Sequence, residues 1–303
     1  MTAPVGPTEG KTKILEPVHD LNLLRIRTKD SLTANDAAIK AEVPSIAKEK
    51  TTQTTKIFRY LERQGVPTAY VSRNDDTSFI AKKCNMIPLE CVIRRRPYGS
   101  YIKRHPEIPL THTFSPHPLL EFFHKFTVVS PCTIHSNTNA INPETRLMPE
   151  NLARRYFMSE TGAWTHEVYC DPLIEIVKPT DTWLLYPAKQ PKHEMQPLLD
   201  ISPVLTKSEI IHVYDLMQFT FTTLETAWKR ADINLIDLKL EFGRDIKTNE
   251  IILADVIDND SWRIWPKGNP KNQLDKQSFR DGEDIANVLK KYERVTEYIS
   301  QWK

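Results

Sequence analysis

The chain has 303 residues, 40% of them hydrophobic and 26% charged, which is enough apolar material for one large or two small domains. Lys and Arg number 41 against 39 Asp and Glu, so the net charge of +2 gives no overall basic field for nucleic acid or an anionic membrane. No apolar stretch approaches the roughly 20 residues that span a bilayer, and the first residues lack a signal-peptide core, so we expect a cytoplasmic protein. The four cysteines, Cys84, Cys91, Cys132 and Cys170, lack zinc-ligand spacing and are expected to stay reduced.

The N-terminal part of the chain combines short β-rich runs with one amphipathic helix. Apolar alternation predicts a hairpin-like pair of strands over residues 11–15 and 23–27. Pro44 and Ser45 begin a predicted helix that carries an apolar stripe, and Gly65 ends it. Three further strands are predicted, over residues 68–72, 78–82 and 89–93.

Prolines crowd residues 105–204 and set this middle part of the chain apart. Two stretches within it, 105–118 and 178–203, are predicted as extended surface segments with little periodicity. Aromatic residues persist throughout the middle part, so we expect it to be ordered.

The C-terminal part is regular again. Thr206 and Glu209 have the spacing of a capping box and predict a helix that runs to about Arg230. Two strands and a last helix follow, over residues 234–242, 250–256 and 283–301. Because the strands come early and the helices late, the pattern favours an α+β fold with two lobes.

Gly10, Lys11 and Lys13 form a first candidate site, in which a glycine turn precedes two lysines on one face of a strand. Such a loop can cover phosphates. A P-loop is excluded because its first glycine would have to stand where the chain has Val5. An exposed turn with two solvated lysines is the alternative.

A second candidate site combines two neighbouring strands. Period-two alternation places Asp237, Lys239 and Glu241 on one face, and Asp255 lies on the next strand. Two carboxylates beside bound phosphates form a natural Mg²⁺ site, because this ion takes one or two carboxylates together with phosphate oxygens and water. The alternative is a solvent-facing hairpin with ordinary cross-strand ion pairs.

A third candidate site is a basic turn that directly follows a predicted strand. The segment RRRPYGSYIKR, residues 94–104, carries five basic residues around a Gly-Ser turn. Arginine forks, a hydroxyl and backbone N–H groups can form a compact phosphomonoester pocket. A solvated basic loop or a weak RNA patch is the alternative, which the balanced charge of the chain disfavours.

Asp258, Asn259, Asp260 and Ser261 form a fourth group, which can bind sugar hydroxyls or ring nitrogens. The spacing of its acids is reminiscent of an EF-hand loop. The glycine and the terminal glutamate of that motif are missing at the required offsets, so calcium is not expected.

Several long motifs lie in two parts of the chain, about residues 10–106 and 233–281: EGKTK, SLTANDAAIK, IFRYLERQGVPTAY, MIPLECVIRRRPYGSYIKRHP, DLKLEFG, LADVIDNDSWRIWP and DKQSFRD. Together they resemble those of the SAICAR synthetase family, in particular the synthetase domain of the animal bifunctional purine enzyme. The resemblance implies a two-lobed α+β fold with an N-terminal antiparallel-sheet lobe over residues 1–88, which binds ATP. A larger C-terminal α+β lobe over residues 89–303 would carry a Pro-rich insertion at about 107–204, with ATP in the cleft.

The resemblance also implies an activity, the ATP- and Mg²⁺-dependent joining of carboxyaminoimidazole ribonucleotide (CAIR) to L-aspartate. ATP would activate the CAIR carboxylate as an acyl phosphate, which the aspartate amine then attacks. The implied partners are these three small molecules, without nucleic acid or membrane, and a homo-oligomer is left open.

Site residues follow from the matching motifs. The expected catalytic residues are Lys11, Lys239 and Asp36. The expected ATP-binding residues are Gly10, Lys11, Lys13, Lys82, Met86 and Glu90. The expected Mg²⁺ ligands are Glu241 and Asp255. The expected CAIR-binding residues are Arg94, Ser100, Lys103, Arg104, Asp260 and Arg263. The candidates for aspartate binding are Asp171, which forms an Asp-Pro pair with Pro172, and Glu175.

Two other functions stay open at this stage. Residues 107–204 align poorly with the family, so a related ligase that uses another amine is one alternative. A non-catalytic nucleotide-binding regulator is the other, although the lysines and carboxylates that ATP and Mg²⁺ require are present. A protein kinase is disfavoured because the motifs H-R-D-x-x-x-x-N and D-F-G are absent from the sequence.

Overall fold

The computed structural model describes residues 6–34, 39–130, 146–178 and 180–303. Asp36 and Cys132 lie outside the described residues. Six α-helices are found in this part of the chain: α1 Ile46–Arg63, α2 Ser100–Arg104, α3 Glu150–Phe157, α4 Lys207–Lys229, α5 Gln277–Arg280 and α6 Ile285–Ser300. None of these helices combines the length and the apolar character needed to cross a bilayer.

The strands of the described chain fall into three successive groups. The first group contains β1 Thr8–Glu9, β2 Lys13–Pro17, β3 Leu23–Thr28, β4 Ser31–Ala34, β5 Ile39–Glu42, β6 Tyr70–Arg73, β7 Ser78–Lys82 and β8 Cys84–Met86. The second contains β9 Leu89–Arg94, β10 Leu119–His124, β11 Thr127–Val129, β12 Leu147–Met148, β13 Val168–Cys170, β14 Leu173–Lys178, β15 Thr182–Tyr186 and β16 Leu199–Ile201. The third contains β17 Ile233–Asp245, β18 Ile251–Ala254 and β19 Trp262–Pro266.

The chain divides into two compact units, one made of residues up to 87 together with residues 216–303, the other of residues 88–215. This division differs from the two lobes expected from the sequence, in which residues 216–303 belonged with the middle of the chain. The reason is long-range pairing: β17 is hydrogen-bonded to β8, with Gly243 opposite Met86. In addition, the Gln53 amide on α1 donates to the Tyr292 carbonyl on α6 at 3.0 Å.

The first unit contains an antiparallel sheet in the order β1-β2-β3-β7-β6. The predicted hairpin is confirmed as β2 paired with β3. Helix α1 begins at Ile46, directly after Ser45, and its apolar stripe is buried at Ile57, Phe58 and Leu61. In the same unit, the long strand β17 pairs antiparallel with β8, β18 and β19.

The second unit contains an antiparallel sheet in the order β16-β15-β14-β10-β9 and a small sheet in the order β12-β11-β13. Residues 105–118 contain no helix or strand, as expected. The expectation for residues 178–203 was wrong, because they include β15, on which Trp183 and Leu185 are fully buried. The prolines of this segment from residue 187 onward follow the strand and do not interrupt its ladder.

The capping box that the sequence predicts at the start of α4 is confirmed. The Thr206 amide donates to a Glu209 carboxylate oxygen at 2.8 Å, and the Glu209 amide donates to the Thr206 hydroxyl at 3.4 Å. The result is an α+β fold built on antiparallel sheets, as the sequence predicts.

Gly243 allows β17 to approach β8 closely, and a substitution there tests this contact. A Cβ at Gly243 would lie 2.6 Å from Cys84 Cβ and 3.1 Å from Met86 Sδ, both closer than ordinary packing. We expect Gly243→Ala to lower the free energy of unfolding by about 1–3 kcal/mol, because the two strands must move apart. Urea denaturation measures the difference.

Gly6→Ala is the matched control, since a Cβ at Gly6 meets nothing within 4 Å. Equal urea midpoints for the two variants would contradict the close approach of the strands.

Candidate active site

Strand β17 carries the acidic and basic face that the sequence predicts. Lys239 Nζ donates to Glu241 Oε1 at 2.9 Å, so the two side chains share one face of the strand. Leu238 and Leu240 are fully buried on the opposite face. Asp237 and Glu241 are only 5% and 4% exposed, which rules out a solvent-facing hairpin.

Asp255 directly follows β18 and stands one residue beyond Ala254, the residue opposite Glu241 in the ladder. Its φ of 59° lies in the left-handed region, which is uncommon for a residue with a side chain and is often found at functional sites. The Asp255 carboxylate forms an ion pair with Lys13 Nζ. The glycine turn and the end of β18 therefore meet.

The glycine turn itself is closed by its backbone. The Gly10 amide donates to the Lys13 carbonyl at 2.8 Å, and the Ser31 hydroxyl donates to the Lys11 carbonyl at 3.2 Å. Lys29 adds a third cation to this region, where its Nζ lies 2.6 Å from a Glu9 carboxylate oxygen. A turn held in this way can present several positive charges to one anion.

The carboxylates of this region fit a cation that arrives together with phosphates. The part of the chain that the structure describes holds no group of three or more His, Cys, Asp or Glu residues able to bind a metal by themselves. Glu241 and Asp255 supply two carboxylates, which match the number that Mg²⁺ takes when substrate phosphates and water complete its shell. The donor set therefore suits Mg²⁺ bound with a nucleotide better than a structural metal.

Asp260 lies at the centre of a buried ionic cluster. Its carboxylate accepts from Lys50 Nζ at 2.8 Å, from Lys276 Nζ at 3.0 Å, and from the Tyr292 hydroxyl. Burial opposes its ionisation, but Lys50 and Lys276 together outweigh burial and hold the pKa of Asp260 well below its usual range. Burial and the charge of Asp260 raise the pKa of the neighbouring Asp258. The sequence did not point to Lys50.

Arg263, a predicted CAIR ligand, forms an ion pair with Asp237 across the β17–β19 ladder. Asp275 lies nearby and accepts hydrogen bonds from the Ile264 and Gln277 amides at 3.1 and 2.9 Å. Burial raises the pKa of Asp275 to about 6. The Arg263 guanidinium is thus fixed among acids within the first unit.

The basic turn of the second unit brings Arg94, Ser100 and Arg104 together. Arg94 Nη2 lies 3.1 Å from the Ser100 hydroxyl, and Arg94 Nη1 donates to the Tyr98 carbonyl at 3.0 Å. Arg94 and Arg104 are both buried, and both donate to the carboxylate of Glu121. Lys103 is exposed. The structure therefore groups three of the four predicted residues of this turn, and it adds Glu121, which the sequence analysis missed.

The candidate aspartate-binding residues lie at the start of β14 in the second unit. Asp171 adopts a φ of 47° just before Pro172. Glu175 is exposed on β14. Burial, with a further contribution from Glu175, raises the pKa of Tyr186.

Of the other predicted ATP-binding residues, Lys82 ends β7 and Met86 ends β8 in the first unit, where the Met86 side chain is exposed. Glu90 lies on β9, in the second unit.

The chain matches the family model of SAICAR synthetase over residues 7–151 and 189–299, and it belongs to this family. It is 31% identical over 302 residues to the phosphoribosylaminoimidazole-succinocarboxamide synthase of Chloroflexus aurantiacus, covering 97% of this chain and 96% of the relative. It is also 31% identical over 297 residues to the bifunctional phosphoribosylaminoimidazole carboxylase/phosphoribosylaminoimidazole succinocarboxamide synthetase of Mus musculus, covering 96% of this chain and 57% of the relative. A solved structure of SAICAR synthetase in complex with ADP superposes with a TM-score of 0.68 at 25% identity, covering 97% of both chains.

The family match is interrupted over residues 152–188. This interval lies within the predicted insertion and includes β13, β14 and β15. Asp171 and Glu175 fall inside it, whereas the predicted phosphate, metal and CAIR residues fall outside it.

The Asp260 cluster predicts that substituting two different lysines of α1 has very different effects on the stability of the protein. Lys50 is buried against Asp260, whereas Lys48 forms an exposed ion pair with Asp76. We expect Lys50→Met to lower the free energy of unfolding by about 3 kcal/mol, because the largely buried Asp260 carboxylate loses a charged partner. Lys48→Met should change it by less than about 1 kcal/mol. Urea denaturation of both variants measures the difference, and equal losses would remove Lys50 from the cluster.

Proposed function

We infer that this protein is an ATP-dependent carbon–nitrogen ligase that joins CAIR and L-aspartate to give SAICAR, ADP and phosphate in purine biosynthesis. The near-full-length family match supports this function. The observation that carries it is the pairing of Lys13 with Asp255 and of Lys239 with Glu241. The four residues expected to bind phosphate and metal thus form two ion pairs within the first unit.

We propose that Gly10, Lys11 and Lys13 hold the ATP phosphates and that Met86 and its neighbours on β8 contact the adenine. Glu241 and Asp255 would hold Mg²⁺, which when bound neutralises charge on the transferring phosphoryl group. In the structure, Lys13 neutralises the charge of Asp255 and Lys239 that of Glu241. As phosphates enter, the lysines gain a second anionic partner, so the site needs little rearrangement to receive the nucleotide.

The acyl-transfer chemistry requires no nucleophile from the protein. Once phosphoryl transfer has activated the CAIR carboxylate, the substrate amine attacks it and phosphate leaves. What the chain supplies is positioning and positive charge, with Lys239 directed at the phosphate or at the reacting carboxylate.

The CAIR phosphate is assigned to the basic turn of the second unit. Arg94 and Ser100 lie in hydrogen-bond contact and combine a guanidinium fork with a hydroxyl, the groups that suit a phosphomonoester. Asp260 belongs to the first unit, and its carboxylate already accepts from three side chains, so we assign it a structural part in the cluster of Lys50, Lys276 and Tyr292.

The amine substrate is assigned to Asp171 and Glu175 of the second unit. Asp171 and Glu175 carry negative charge, so they suit the ammonium group of an amino acid and can accept its proton, whereas they would repel its carboxylates. Both residues lie in the interval that the family model does not match. A related ligase that uses another amine is therefore the second candidate function.

ADP release tests the function directly. We expect the purified protein with Mg²⁺, ATP and CAIR to release ADP only when L-aspartate is added, with SAICAR identified by mass. Release that depends on a different amine would support the proposed ATP and CAIR sites and indicate that residues 152–188 accept another amine. No release with any amine would favour a nucleotide-binding regulator.

Nucleotide binding tests the metal assignment separately. Glu241→Gln keeps the size of the side chain but removes its charge, so we expect the Kd for ATP with Mg²⁺ to rise at least about 10-fold. The Kd for ATP in EDTA should not rise, because no metal is then bound. Isothermal titration calorimetry measures both values.

Glu250→Gln is the control, because Glu250 is exposed and lies between β17, which carries Glu241, and β18. Equal losses with and without Mg²⁺ in Glu241→Gln would take Glu241 out of the metal site.

A further inference from the structure

Glu121 is a single acid in the otherwise apolar run LLEFF of β10. Its ladder partner is Val92, while Arg94 stands opposite Leu119, so Glu121 and Arg94 are diagonal neighbours on one face of the β9–β10 pair. The Glu121 side chain is only 9% exposed. A buried carboxylate requires charged or polar partners.

The two oxygens of Glu121 serve two different arginines. Oε2 accepts from Arg94 Nε at 2.6 Å, and Oε1 accepts from Arg104 Nη2. Because the guanidinium is planar, fixing the Nε–H of Arg94 fixes the direction of its two terminal nitrogens. Those nitrogens are turned toward the Tyr98 carbonyl and the Ser100 hydroxyl, at the Gly-Ser turn.

The Arg104 side chain is engaged on several sides by other groups of the protein. Its Nη1 donates to the Ala188 carbonyl at 2.7 Å, and its guanidinium carbon lies 5.7 Å and 5.5 Å from the ring centres of Tyr101 and Phe123. The side chain is 1% exposed. Burial lowers the pKa of Arg104, Glu121 counteracts this, and the charge of Arg94 adds to the lowering. The two arginines therefore repel each other and depend on the carboxylate between them.

We propose that Glu121 and Arg104 are positioning residues that aim Arg94 at the phosphate of the ribonucleotide substrate, with Arg104 acting as the fixed support of Glu121. This inference rests on the proposed function. It gives two arginines of the basic turn different roles: Arg94, with Ser100, contacts the phosphate, and Arg104 acts only through Glu121.

The difference in role has a physical basis in what each arginine contacts. Ser100 accepts from Arg94 and keeps its own hydroxyl hydrogen for a phosphate oxygen. Arg104 is engaged by a backbone carbonyl, a carboxylate and two aromatic faces. Loss of Glu121 would free Arg94 to swing away from the turn while the pocket kept its positive charge.

Ligand binding distinguishes an aimed arginine from a merely structural one. We expect Glu121→Gln to raise the Kd for CAIR at least about 10-fold, because the Arg94 fork loses its fixed direction. The Kd for the phosphate-free ribonucleoside of CAIR should not change, nor should the KM for ATP. Glu160→Gln, at an exposed acid of the same unit, is the control and should behave as wild type.

A second variant covers the case in which Glu121→Gln fails to fold with two arginines and no carboxylate. Combining Glu121→Gln with Arg104→Met removes one charge of each sign and so keeps the charge balance of the wild type. The combined variant should fold, as judged by circular dichroism and thermal unfolding, and still bind CAIR at least about 10-fold more weakly.

Equal weakening of the nucleotide and the nucleoside, or unchanged CAIR binding in a folded variant, would overturn the proposal. If the wild type binds no CAIR, the proposed function fails, and ribose 5-phosphate then serves as the probe for the pocket alone. Weaker binding of that probe by the variants would still support the positioning role. Its equal binding by wild type and variants, or no binding by any of them, would overturn it.

Discussion

The structure depends on the pairing of buried and partly buried acids with cations from other parts of the sequence. Asp255 is paired with Lys13, Asp260 with Lys50, and Glu121 with two arginines. Carboxylates can be largely withdrawn from water in these places because a guanidinium or ammonium group accompanies each one. Under the proposed function, Lys13 and Arg94 are also the groups that bind phosphates, so cations that compensate these carboxylates would also serve the anionic substrates.

These pairs also explain why the first unit joins the two ends of the sequence. Lys50 and Asp260 are 210 residues apart, and their contact links α1 to the segment between β18 and β19. Lys13 and Asp255 connect β2 to the end of β18. Hairpins and helices can form from local sequence, but only long-range contacts fix which of them pack together. A misplaced strand would leave one of these charges buried without its partner, a penalty that favours the observed arrangement.

Local patterns in the sequence predicted the local parts of the fold. The capping box at Thr206 and the apolar stripe of α1 follow from near neighbours along the chain, so they could be predicted and were confirmed. The alternation on β17 correctly placed Lys239 and Glu241 on one face. Strand β15 was missed because the surrounding prolines dominate the composition, whereas its burial depends on pairing with β14 and β16.

The candidate site shows the same division between local and long-range information. Motifs gave the residues, but not which residue would pair with which. Glu121 carried a signal that could have been used, since a lone acid in an apolar strand needs a buried partner. Lys50 carried none, because a lysine on a helix is usually solvated and nothing near it in the sequence indicates Asp260.

The contact between Arg104 and Ala188 lies at the end of the interval that the family model does not match. The family match resumes at residue 189, directly after Ala188, whose carbonyl accepts from Arg104. A backbone carbonyl is present whatever the side chain, so this contact does not depend on which side chain stands at residue 188. What must be kept is the path of the backbone after β15, because a shift there would move Arg104, and with it Glu121 and Arg94. This contact therefore restricts the path of the backbone and places no demand on the side chain of residue 188.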